Sequence, residues 1–118
     1  MIKLFDMEKL TKVICENYNI NTLELFSNKR NSNIVKARQM FIYFAYNYYK
    51  KNVSEIAKKL KKNHATVIYS INKINSEMNI YKDIINQIGV ILKDLNSFLI
   101  PNDVDLLQMT NNYSKSFI

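Results

Sequence analysis

The residues of this sequence best suited to chemistry are Asn63, His64, Ala65 and Thr66, a run of short side chains preceded by Lys61-Lys62 and followed by Val67. Asn63 is a good helix N-cap, and a capped helix that leads with small polar and basic groups is what enters a DNA major groove. On the helix it opens, Val67, Ile71, Ile74 and Met78 are expected to face inward. His64, Ala65, Thr66, Tyr69, Ser70 and Lys73 are expected to look outward.

That helix needs a partner to hold it. Asn52, with Glu55 three residues on, has the spacing of a capping box. Val53, Ile56, Ala57 and Leu60 then share one side of a first helix, and residues 52–76 read as a helix-turn-helix. The plain alternative is an ordinary helical hairpin with a basic face.

Upstream, residues 6–17 predict a helix capped by Asp6, with Leu10, Val13, Ile14 and Tyr18 on one face. Residues 22–27 predict one or two turns with Leu23 and Phe26 inward, and a polar loop follows. The longest helix spans residues 33–49, carrying Lys36 and Arg38 in front and a nearly continuous apolar rear. Tyr43, Tyr46, Tyr48 and Tyr49 are either packing residues or stacking platforms for single-stranded bases. Downstream, residues 81–100 carry the stripe Ile84, Ile85, Ile88, Ile91, Leu92, Leu95 and Leu99, ended by Pro101. Gly89 inside it costs about 1 kcal/mol relative to Ala, which suggests close helix approach or a bend. The expected architecture is all-α: one compact helical bundle over residues 1–100 and a tail over residues 101–118. A single Gly and a single Pro in 118 residues argue against a turn-rich β fold.

Formal charge is +7, but residues 29–73 hold eleven Lys and Arg against one acid, Glu55, and so are +10 by themselves. Charge gathered around the helix-turn-helix predicts a local positive field suited to phosphate. The only glycine stands in mid-helix, which leaves no phosphate-wrapping loop for nucleotide hydrolysis. One His and one Cys, far apart, offer no zinc site, and Cys15 in an apolar pattern reads as a buried structural thiol. Asp103 and Asp105 read as solvating a terminal segment. No catalytic residue, metal or cofactor is expected, nor a signal peptide or membrane span, so the expected location is the cytoplasm, at the nucleoid.

At Val35-Lys36-Ala37-Arg38-Gln39-Met40 and at Lys61-Lys62-Asn63-His64-Ala65-Thr66-Val67 the chain resembles the C-terminal DNA-binding domain, domain IV, of the bacterial replication initiator DnaA. Asn28-Lys29-Arg30-Asn31 and Lys73-Ile74 extend the likeness, which covers residues 13–95. The resemblance implies a Trp-repressor-like helical fold that binds double-stranded DNA at a nine-base-pair box, in replication initiation or its regulation. It implies base reading by Arg38 from the minor groove and by Asn63, His64, Ala65 and Thr66 from the major groove. Lys29, Arg30, Lys36, Lys62 and Lys73, with the amides of Val53 and Ser54, are implied phosphate contacts. Asn63 stands where the family has Asp, Ala65 where it has Thr and Lys62 where it has Arg, so the preferred bases are expected to differ. The ATPase module of the initiator is missing. The start at Met1 and the tail suggest a free-standing reader of related boxes; a fragment of a longer initiator is the other option. A different class of function is a protein-interaction adaptor that mimics the initiator domain through the last helix or the tail, and a third is single-strand binding through the tyrosines.

Overall fold

The computed structural model of the protein describes residues 2–97, with side chains from 7 to 96, and every regular element among them is an α-helix. In chain order they are α1 (Ile2–Tyr18), α2 (Thr22–Leu25), α3 (Ser32–Asn47), α4 (Val53–Leu60), α5 (His64–Met78) and α6 (Lys82–Ser97). The chain divides into two units after Ser76. The expected stop at Pro101, Leu99, the pair Asp103 and Asp105 and the tail lie outside the described residues.

In the first unit α1, α2 and α4 pack on α3. Their apolar periodicity explains this: Leu10, Val13, Ile14 and Cys15 are buried from α1, Leu25 from α2, and Ile56, Ala57 and Leu60 from α4. Along α3, Met40 through Ala45 is buried without interruption, as befits a helix enclosed by several others. Burial pushes the Cys15 thiol up from its ordinary pKa, with the nearby acids Glu24 and Glu16 acting the same way and a hydrogen bond with Thr22 opposing them.

Several expectations are corrected. Helix α1 starts at Ile2, so Asp6 is already inside it and is not its cap. Leu23 does not face inward; it is 83% exposed, while Leu25 is fully buried. The capping box of Asn21 and Glu24 sets this rotation, because the two side-chain-to-backbone bonds, 2.8 and 3.0 Å, fix where the short helix begins. Ser70 is 3% exposed rather than outward, with Oγ donating to the Thr66 carbonyl at 3.0 Å. It lies three residues after Val67 and so shares the buried face with Val67, Ile71 and Ile74.

In the second unit α6 buries Ile88, Ile91, Leu92 and Leu95. A methyl added at Gly89 would meet no atom within 4 Å, so close approach is not what keeps a glycine there.

Candidate nucleic-acid interface

The front of α4 is fixed by Asn52 and Glu55, which exchange bonds of 2.8 and 3.0 Å with each other's backbone amides. Val53 and Ser54 are therefore the first residues of that helix, whose amides have no partner within it. At its end Lys61 adopts left-handed φ 56°, ψ 44°, and the Lys62 N–H reaches the Ala57 carbonyl at 2.9 Å. This is the Schellman closure usually given to glycine; a lysine there carries a penalty of about 1 kcal/mol. The turn delivers Asn63 as the cap of α5, its Oδ1 accepting from the Thr66 N–H at 2.7 Å. Ser54 Oγ lies 3.4 Å from His64 Nε2, so the two helix fronts adjoin.

Arg38 departs most from the sequence reading. Its side chain is 8% exposed and points into the loop between α2 and α3. Nε donates to the Leu25 carbonyl at 3.0 Å, and Nη2 donates to the carbonyls of Ser27 at 2.8 Å, Lys29 at 3.2 Å and, at the limit of bonding, Glu24 at 3.4 Å. The last carbonyls of a short helix lack partners of their own, and a planar guanidinium can satisfy several at once. Burial lowers its pKa, and the charge of Arg30 adds to that. With Nε and Nη2 bonded to the chain's own backbone, Arg38 braces the loop and is largely withdrawn from the surface, in contrast to the outward-reaching arginine expected above. The arginine exposed on that loop is Arg30, beside exposed Lys29.

Between this loop and the front of α5 lies an open cleft of about 610 Å³, lined by Asn28, Arg30, Arg38, Gln39, Lys62, Asn63, Ala65, Thr66 and Tyr69 among others. Lys62 Nζ donates to Asn28 Oδ1, tying the turn to the loop. The Lys62 pKa is lowered by burial first, then by the charges of Arg38 and Arg30. Such crowding of cations is relieved by an anion. Of the sequence-expected residues, Arg30, Arg38, Lys62, Asn63, Ala65 and Thr66 meet in the cleft. His64, Ser54, Lys29 and Lys36 are exposed outside its lining, and Val53 and Lys73 are half-buried.

Two exposed residues on α5 escaped the sequence reading of the site: Ile68, 47% exposed, and Tyr69, 62% exposed and recognised only as outward. Both follow Ala65 by one turn, so the spacing held the signal, but an isoleucine in an apolar pattern reads first as core. Of the four tyrosines considered for stacking on bases, only Tyr46 is exposed; Tyr43 is buried, and Tyr48 and Tyr49 are half-buried with their rings edge to face.

The helix-turn-helix of the bacterial DnaA protein matches residues 7–74, more than half of this chain. The chain belongs to the bacterial DnaA helix-turn-helix family. Chromosomal replication initiator proteins DnaA from Borrelia turicatae and Borrelia hermsii are each 33% identical to it over 92 residues, covering 77% of this chain and 19% of theirs. That of Pseudothermotoga lettingae is 33% identical over 72 residues, 61% of this chain and 16% of its own length. The chain thus spans about a fifth of these DnaA relatives, as the 19% coverage records. No solved structure matches it significantly. The match to the DnaA family runs from α1 to Ile74 of α5 and so includes both helices of the motif and the loop that Arg38 braces. Among the described residues no helix is long and apolar enough to cross a membrane, and no cluster of His, Cys, Asp and Glu could hold a metal ion.

Proposed function

We propose that this chain is a non-catalytic, sequence-specific binder of double-stranded DNA at the nucleoid, recognising a site related to the DnaA box in replication initiation or its regulation. One observation carries the reading: the exposed front of α5, with Asn63, His64, Ala65 and Tyr69, adjoins a cleft that Arg30 and Lys62 also line. Base-edge readers and phosphate-binding cations on one surface are the two components of a specific complex.

In this reading α5 lies in the major groove, the amides of Val53 and Ser54 face a phosphate, and Lys29, Lys36, Lys62 and Lys73 supply charge. Arg30, not Arg38, reaches the neighbouring minor groove from the braced loop. The reading unit is residues 7–74. Against the adaptor alternative acting through the last helix, Ile88, Ile91, Leu92 and Leu95 of its apolar stripe are buried, while the tail, its other route, lies outside the described residues. The test is selection from a randomised duplex pool at about 0.15 M salt, which is expected to return one short motif; recovery of unenriched sequence would overturn the proposal.

A further inference from the structure

Asn63 has two jobs available and one side chain to do them with. Its amide carries an acceptor, Oδ1, and a donor, Nδ2, on opposite sides of one carbon. Their assignment is normally ambiguous, but here the neighbour settles it: the backbone N–H of Thr66 can only donate, so the atom 2.7 Å from it is the oxygen. With Oδ1 held by the Thr66 N–H, the amino group is the half of the amide left without a partner. Asn63 is exposed and lines the cleft, and among the described residues nothing engages Nδ2. The other asparagines whose side chains cap a helix do not share this placement: Asn52 and Asn21 each sit in a capping box whose glutamate closes back on the cap residue, and neither lines this cleft.

We infer that Asn63 is a specificity-determining residue that offers DNA a donor only, and so selects a base whose major-groove edge presents acceptors. Guanine, with N7 and O6, and thymine, with O4, meet this condition. Cytosine, which presents an amino donor, does not. Adenine offers a single acceptor, N7, beside an amino donor that repels the amide N–H, and its two-bond pairing with asparagine would need the oxygen that the cap already holds. The inference rests on the DNA-binding reading above and adds which chemistry one base position must have.

The experiment is the duplex-pool selection run in parallel on wild type, Asn63→Asp and Asn63→Gly. Aspartate caps a helix as well as asparagine and glycine costs only a few tenths of a kcal/mol there, so each variant keeps α5 in place, which unchanged circular dichroism would verify. Aspartate turns an acceptor outward in place of the donor, and glycine presents no side-chain group at all. The expected result is one shared motif in which a single position changes: guanine or thymine for wild type, cytosine or adenine for Asn63→Asp, and no preference for Asn63→Gly. At that position, matched and mismatched duplexes should differ in affinity by about fivefold to about 150-fold for wild type. A motif identical in all three proteins overturns the inference while leaving the DNA-binding proposal standing, as does a wild-type preference for adenine or cytosine at the position that glycine erases. Failure of every protein to enrich a motif overturns both.

Discussion

Replacing Arg38 by methionine tests whether this residue acts inside the protein or on DNA. Methionine keeps the unbranched stem and removes every donor. The Leu25 carbonyl, whose bond to Nε is buried, loses its side-chain partner, which costs about 1 to 3 kcal/mol. The part-buried carbonyls of Ser27 and Lys29 can be rehydrated, so each lost bond there costs about 0.5 to 1.5 kcal/mol. The 3.4 Å contact to Glu24 contributes little. The expected destabilisation is about 2 to 6 kcal/mol, a large part of the about 5 to 15 kcal/mol typical of a domain. Arg38→Lys should fall between, because an ammonium cannot span carbonyls on both sides of the loop. Urea unfolding followed by circular dichroism gives the stability, and anisotropy titrations on selected and random duplex give the binding. Arg38→Met should lower stability and, by loosening the loop that carries Lys29 and Arg30, weaken both duplexes. Arg30→Ala, at an exposed site, should leave stability within about 0.5 kcal/mol and weaken DNA binding. The reasoning is refuted if Arg38→Met unfolds at the wild-type urea concentration yet loses only the selected duplex.

Lys29→Ala should weaken selected and random duplex alike and flatten the slope of log affinity against log salt by about one unit, measured from 50 to 200 mM. His64→Ala should cost about 1 to 3 kcal/mol on the selected duplex and much less on random sequence, read by the same titrations. Gly89→Ala should raise stability by about 0.5 to 1 kcal/mol in urea unfolding, since the helix gains propensity and the methyl enters open space. Burial pushes the Tyr18 pKa up to about 12 from 10.0. The unfolded chain therefore ionises first, and stability is intact below the unfolded value and declines as pH rises from about 10 toward about 12. For a partly exposed ring the slope is less than about 1.4 kcal/mol per pH unit, and it should disappear from the Tyr18→Phe profile of unfolding free energy against pH.

What the sequence determined by itself is what depends on neighbours a few residues apart. The capping box at Asn52 and Glu55, the cap at Asn63, and the buried stripes of α4 and α5 all arise from contacts within one or two helical turns, so their spacing is enough to read them. The direction of Arg38 was beyond that reach. Its partners are carbonyls 9 to 14 residues earlier, gathered only because α2 packs on α3, and a motif match identifies an arginine without saying which way it turns. The same holds for Leu23 and Leu25, where one rotation of a four-residue helix exchanged the buried for the exposed leucine. It holds too for Asn63, whose cap role was legible in the chain, whereas its place in one cleft with Arg30 and Arg38 follows from packing. Local hydrogen bonding chose the helices of this protein; long-range packing chose which polar atoms were left free on its surface.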